Sequence, residues 1–352
     1  MKVEVYPSKV SGRIKPPASK SYLHRSIICA SLSSGISKIS NIIYSEDVNA
    51  TLGVFENLGV SITRHKNSIE INSKGFQNFQ QEKMVYCNES GSTIRFLIPV
   101  LSNNYNTYFT GKSGLMSRPF TVYKDIFISQ GLVYKQESTE IMTKGSLKPG
   151  EYIVPGNISS QFISGLLFIL PTLNGDSTIK ITGKLESEEY VDMTVEIMRI
   201  FKVKIEKSGQ SIFVSGNQKY VSTNINAEID YSQMAFFAVL GIINNTITVD
   251  GINSDSLQPD RRITGLIQNM GGKVIKEEDS ITFSKSKTNG ITIDVSQSPD
   301  LAPILGVLAS CSKGETRLVN ARRLIIKESN RLLSTHETLT KLGVNSVMGE
   351  DY

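Results

Sequence analysis

Residues 159–183, SSQFISGLLFILPTLNGDSTIKITG, carry the pattern on which the fold turns. A polar helix start at Ser159 and Ser160 opens a long apolar run, and about twenty residues later a strand-like segment, IKITG, closes on Gly183. The same order recurs along the chain. Strand ends of one type stand at SKISN, TYFTG, IKITG, TVDG and TRLVN, finishing at Asn41, Gly111, Gly183, Gly251 and Asn320, a period of about 70 residues. Upstream of each lies a polar helix start, at Ser21, Ser92, Ser160, Ser232 and Asp300. Downstream comes a second helix-like segment ending at a Gly or similar stop, as in FENLGVSI, FISQGLVY and LTKLGVNSV. In the first four copies a hairpin follows, as in RHKNSIEI and KEEDSITF, with one more strand such as EKMVYC before the next copy. The repeat therefore reads as helix, strand, helix, strand, strand, and the fold class is α/β. The fifth copy stops at Tyr352, in the turn of its hairpin, so the expectation is five units with the fifth incomplete.

Composition bounds the function. Among 352 residues, 38 are basic and 33 acidic, giving a net charge of +5 without a long run of one sign, which suits small anionic ligands and not a nucleic-acid tail. Aromatics do not interleave with the basic residues either, so no nucleic acid is expected as a partner. Cys29, Cys87 and Cys311 are odd in number and far apart, as in a reduced, cytoplasmic protein. The opening MKVEVYPSKV alternates like a strand and lacks an apolar leader, and no apolar run has the length of a membrane span. His24, His65 and His336 are scattered, and neither Gly-x-x-x-x-Gly-Lys-Ser nor Gly-x-Gly-x-x-Gly occurs. No metal, nucleoside triphosphate or dinucleotide cofactor is expected.

The five helix starts bear on chemistry. SKS at 19–21, SGST at 90–93, SSQ at 159–161, DYSQ at 230–233 and SPD at 298–300 can each cap free backbone N–H groups. Several such starts aimed at one space would also attract anions. Cations stand beside them: Lys20 and Arg25 at the first, Arg118 in LMSRPF, and Lys327 and Arg331 in IIKESNR, with Glu328 between. On a helix Lys327 and Arg331 would share a face, four residues apart, and their bland reading is a solvated salt-bridged surface. Arginine forks with a lysine suit carboxylates and phosphates.

PPASKSYLHR, NESGSTIRFL, LMSRPF, SSQFISGLL, LESEEYVDMT, SPDLAPILGVLA and IIKESNRL, in this order, resemble the successive signature segments of the 5-enolpyruvylshikimate-3-phosphate (EPSP) synthase family. In the related family that acts on a UDP-sugar the Lys is typically followed by Asn and a mobile loop carries a Cys. Here Lys20 precedes Ser21, and GKSGLMSRP has no Cys. The resemblance implies a two-domain enolpyruvyl transferase fold, an inside-out α/β barrel of βαβαββ units. Residues 15–227 would form the first domain and residues 1–14 with 228–352 the second, with helix starts of both facing one cleft.

It also implies the activity, which is transfer of the enolpyruvyl group of phosphoenolpyruvate to the 5-hydroxyl of shikimate 3-phosphate, and a monomer. By matching position, Ser21, Arg25, Ser159, Ser160, Gln161, Ser187 and Lys327 would hold shikimate 3-phosphate. Lys20, Gly91, Arg118 and Arg331 would hold phosphoenolpyruvate, with Gln161 near both. Gly91 would leave the backbone open to the ligand. Asp300 would accept the proton of the 5-hydroxyl, and Glu328, with Lys20, would protonate the methylene carbon. Glu89, Ser92 and Asn330 stand where the family often has Asn, Thr and Asp. The family's sixth unit, which adds an Arg and a Lys for phosphoenolpyruvate, has no counterpart in these residues. The alternative is therefore a catalytically silent fragment that binds shikimate 3-phosphate alone.

Overall fold

The computed structural model describes Glu4, residues 6–81 and residues 83–352. The strand-like alternation at the amino terminus rests on Met1, Lys2, Val3 and Val5, which lie outside the described residues. In chain order, β1 (Gly12–Ile14) precedes α1 (Lys20–Leu32), β2 (Ser34–Ser40), α2 (Glu46–Asn57) and the hairpin of β3 (Ser61–Arg64) and β4 (Ser68–Lys74). The second repeat runs β5 (Met84–Tyr86), α3 (Gly91–Leu101), β6 (Thr107–Thr110), α4 (Ser113–Met116), α5 (Thr121–Ser129), β7 (Val133–Gln136) and β8 (Glu140–Lys144). The third runs β9 (Glu151–Pro155), α6 (Ser160–Ile169), β10 (Ser177–Thr182), α7 (Glu188–Ile200), β11 (Glu206–Ser208) and β12 (Ser211–Val214). Next come β13 (Ile225–Asn226), α8 (Tyr231–Ile243), β14 (Ile247–Asp250), α9 (Ile263–Asn269), β15 (Lys273–Lys276) and β16 (Ser280–Ser284). The last are β17 (Thr292–Asp294), α10 (Ala302–Ser310), β18 (Arg317–Val319) and α11 (Arg331–Lys341).

The repeat becomes a repeated sheet. Orders β13-β2-β4-β3, β5-β6-β8-β7, β9-β10-β12-β11 and β1-β14-β16-β15 share one plan. An entering strand pairs parallel with the strand after the first helix, and the hairpin adds two antiparallel strands beyond it. In the fifth repeat β17 and β18 pair in parallel, and no strand is described after α11. The residue that closes each central strand explains the Asn/Gly signature. Asn41, Gly183, Gly251 and Asn320 have φ of 57°, 71°, 83° and 58°, left-handed values that these two residue types tolerate best. Gly111 reaches the same role by a different constraint: a Cβ there would stand 2.5 Å from the Asn88 carbonyl oxygen.

The chain divides into two compact units, Ala18–Ala227 and Met1–Pro17 with Glu228–Tyr352. In the larger unit the first helices form the centre. Leu23–Leu32 of α1 are all buried, as are Thr93–Leu101 of α3 and Phe162–Ile169 of α6; α6 reads as apolar nearly all round, whereas α1 buries His24 and Arg25 and α3 buries Arg95 among their apolar residues. Phe96 of α3 meets Phe168 of α6 edge-on at 5.4 Å. In the smaller unit the core gathers Met234, Ala238 and Ile242 of α8 with Phe283, Leu301, Leu305 and Leu308. There, a hollow of about 700 Å³ is lined by Gly306, Leu318, Leu332, His336 and Val344, among others. No helix among the described residues is long and apolar enough to cross a membrane.

Candidate active site

In the larger unit, serine caps bring the helix starts into shape. Ser19 accepts from Tyr22 N at the head of α1, Ser90 from Thr93 N at α3, and Ser159 from Gln161 N at α6. Lys20, the first residue of α1, is half-exposed and ion-paired at 2.7 Å with Asp47, on the first turn of α2. Arg25 is buried one turn further on. Its Nε donates to Thr194 Oγ1 at 2.7 Å, Nη1 to the Ser21 carbonyl at 2.9 Å and Nη2 to the Tyr190 carbonyl at 3.0 Å. Its guanidinium also lies 5.1 Å from the Phe96 ring centre. Burial pushes its pKa down to about 10, which leaves it charged at neutral pH. A guanidinium has five N–H donors, so two are left for a ligand.

At the α3 start, Gly91 is closely covered. A Cβ there would stand 2.7 Å from Arg118 Nη1 and 2.9 Å from Arg95 Nη1. The glycine therefore makes room for two guanidinium groups, a more specific reason than backbone access alone. Arg95 donates to Gln161 Oε1 at 2.8 Å, and Gln161 Nε2 donates to Ser92 Oγ at 3.0 Å, so the starts of α3 and α6 are joined side chain to side chain. Arg95 also lies over the Phe120 and Phe162 rings, at 5.2 and 5.4 Å. Sequence reading missed Arg95 and Asp47. The available signal for Arg95 was its place four residues after Gly91, one helical turn along the same face. Ser160 is buried at the head of α6. Ser187 is buried and left-handed, with φ of 56°, immediately before α7, a backbone state that non-glycine residues adopt at some energetic cost.

The smaller unit holds a second cluster. Asp300 sits in a short 3₁₀ turn ahead of α10, and Arg331 is the first residue of α11. Arg331 Nη1 donates to Asp300 Oδ1, Arg331 Nη2 lies 2.6 Å from Glu328 Oε2, and Lys327 Nζ is 3.8 Å from Asp300 Oδ1. Lys327 and Arg331 do not share a helix: residues 322–326 form a 3₁₀ turn, Lys327 is extended, and α11 begins only at Arg331. The two cations meet on Asp300 from different segments, not as an exposed i, i+4 pair. Burial lowers the pKa of the Lys327 ammonium against the opposing pull of Asp300. Asn330 accepts from Leu333 N at 3.0 Å, so this departure from the family's usual Asp still caps the helix. Glu89 pairs with Lys112 at the surface, at 3.4 Å.

Two clusters of guanidinium and ammonium groups at helix starts, with two carboxylates in one of them, are suited to a small, multiply anionic substrate set and proton transfer. Sequence comparison names the family. The EPSP synthase profile, described as 3-phosphoshikimate 1-carboxyvinyltransferase, matches residues 5–352. The chain belongs to the EPSP synthase family. A 3-phosphoshikimate 1-carboxyvinyltransferase of Clostridium kluyveri is 46% identical, with the alignment covering 99% of this chain and 83% of that one. One from Clostridium novyi is 43% identical, over the same shares. Among solved structures, an EPSP synthase from Acinetobacter baumannii superposes with a TM-score of 0.81 at 25% identity, covering 97% of this chain and 81% of that one. The enolpyruvyl transferase NikO from Streptomyces tendae, with a TM-score of 0.72 at 14% identity, covering 88% of this chain and 75% of its own, shares the fold. The enolpyruvyl transferase fold that the resemblance implied is thus the family's own.

Proposed function

We propose that this chain transfers the enolpyruvyl group of phosphoenolpyruvate to the 5-hydroxyl of shikimate 3-phosphate and releases inorganic phosphate, as a cytoplasmic, monomeric enzyme of the shikimate pathway. The observation that carries the proposal is the start of α3, where Arg95 and Arg118 crowd Gly91 and Arg95 is linked to Gln161 at the start of α6, in a chain that matches the family over residues 5–352. That match favours the transferase over a silent fragment that binds shikimate 3-phosphate alone.

On this reading the two remaining N–H groups of Arg25, with Ser21, Ser159, Ser160, Gln161, Ser187 and Lys327, hold shikimate 3-phosphate. Lys20, Gly91, Arg118 and Arg331 hold phosphoenolpyruvate, and Arg95 joins them. The 5-hydroxyl oxygen adds to C2 of phosphoenolpyruvate while its proton passes to Asp300, and C3 gains a proton from Glu328, with Lys20 assisting. In the second step the C2–O bond to phosphate breaks and C3 gives a proton back, which restores the double bond. Lys327 and Arg331 both contact Asp300, the group assigned to accept that proton. A carboxylate arriving at Arg331 would compete with Asp300 for Nη1 and so loosen the group that must act as base. The test is phosphate release by the purified chain. Release that needs both substrates and matches the enol ether formed supports the proposal, and no release dependent on shikimate 3-phosphate refutes it.

A further inference from the structure

His24 has no exposed surface, and its Nδ1 lies 2.8 Å from Thr51 Oγ1 of α2. Thr51 Oγ1 is 2.7 Å from Thr93 Oγ1 of α3, and Thr93 Oγ1 is 2.6 Å from Ser90 Oγ, the cap of the same helix. Four side chains from α1, α2 and the α3 start thus form one unbroken line, and none of the four is more than 1% exposed.

The line has a direction. Thr93 donates its one hydroxyl proton to Ser90 Oγ, which also accepts Thr93 N–H at 3.1 Å. With its proton committed, Thr93 must accept from Thr51. The other acceptor in reach of Thr51, the Asp47 carbonyl, is 3.5 Å away and too far to compete. Thr51, committed to Thr93, must then accept from His24. The imidazole therefore carries its proton on Nδ1. That agrees with the opposite nitrogen: Nε2 is buried with no hydrogen-bond partner, and a bare acceptor is less costly there than an N–H. Burial, reinforced by the Lys20 charge, lowers the His24 pKa to about 3, so the ring stays neutral.

We propose that His24 is a positioning residue for phosphoenolpyruvate: through Thr51 and Thr93 it sets the Ser90 cap and so fixes the α3 start that carries Gly91, Ser92 and Arg95. This rests on the reaction proposed above. A chain of satisfied hydroxyls that only held the core would affect both substrates alike. A chain that holds the α3 start should act mainly on phosphoenolpyruvate, with a much smaller effect on shikimate 3-phosphate through Gln161, which Ser92 and Arg95 hold.

Nitrogen NMR of the full chain labelled in its histidines tests the direction. A protonated Nδ1 and a bare Nε2 on His24 are expected, and a protonated Nε2 would overturn the relay. Kinetics test the role. Thr51→Val, which keeps shape and removes the link, should raise KM for phosphoenolpyruvate about five- to tenfold, the loss of about one hydrogen bond, and move KM for shikimate 3-phosphate less than twofold. Thr51→Ser should stay near the unsubstituted values, and His24→Asn, which keeps a donor near the Nδ1 position, should exceed His24→Leu in phosphoenolpyruvate affinity. Equal rises in both KM values, or none, would overturn the positioning role. Absence of turnover in the unsubstituted protein would refute the reaction and with it that role, while the NMR result would still decide the relay.

Discussion

Replacing Gly91 by Ala tests the α3 start directly. The added Cβ would lie 2.7 Å from Arg118 Nη1 and 2.9 Å from Arg95 Nη1, where ordinary contact begins at 3.4 Å. Both guanidinium groups must therefore withdraw, by roughly 0.5 to 0.7 Å, the difference between these distances. The atoms in the way are the far ends of flexible side chains, and φ at Gly91 is not in the left-handed region, so the fold can absorb the change. Alanine is also favoured over glycine in a helix by up to about 1 kcal/mol, which offsets part of the disturbance. A hydrogen bond from Arg118 to an anion, stretched by that amount from about 2.9 Å, is effectively lost, and charge-assisted bonds are worth about 1.5 to 3 kcal/mol. The expected result is a rise in KM for phosphoenolpyruvate of about ten- to a hundredfold, with a clearly smaller rise in KM for shikimate 3-phosphate through the Arg95 contact to Gln161 and the melting temperature within a few degrees. Initial rates of phosphate release, varying each substrate against saturating amounts of the other, measure this. An unchanged KM for phosphoenolpyruvate would refute the claim that the arginines covering Gly91 hold that ligand.

Three further outcomes are expected. Arg25→Ala should weaken shikimate 3-phosphate binding about tenfold or more by calorimetry, and it should also lower the melting temperature because Thr194, Ser21 and Tyr190 lose a buried donor; equal affinity in the variant would remove Arg25 from the site. Asp300→Ala and Glu328→Gln should each lower kcat by roughly a hundredfold or more, with Asp300→Ala also lowering the melting temperature because Lys327 and Arg331 lose the carboxylate they share and Glu328→Gln leaving it far less affected, and near-normal turnover in either would cancel that residue's role. For His24, the folded chain binds fewer protons than the unfolded one between about pH 6.5 and about 3. Stability from this group is therefore complete above about 6.5 and is lost as pH falls towards 3, at roughly 1 kcal/mol per pH unit, and denaturant titrations of His24→Leu should show a shallower acid slope than the unsubstituted chain.

Much of the fold was legible because its signals are local. Four hairpins were readable from polar turns between apolar strands, and the Asn or Gly after each central strand reflects either a left-handed φ or, at Gly111, a backbone contact that excludes a Cβ. The candidate site was legible in part. Lys20, Arg25 and Arg331 lie beside helix starts that the caps reveal, while Arg95, one turn after Gly91, acts by reaching Gln161 across 66 residues, a contact that no local pattern marks.

The sequence by itself determined the repeat, its period and the order of helices and strands within it, because capping, turn chemistry and apolar periodicity act over a few residues. Only the tertiary structure decided which strand enters each sheet. The two-residue β13 is too short to carry any periodicity, yet it pairs with β2, and Asn41 reaches back from the end of that strand to the Ala227 carbonyl across 186 residues. Tertiary structure alone also set the charges of the smaller unit. Lys327 and Arg331 would share a face if one helix ran through both. Instead a 3₁₀ turn ends at Lys327, Asn330 caps a new helix, and both cations converge on Asp300, about 30 residues earlier in the chain, since only packing can bring a carboxylate there to balance their charge.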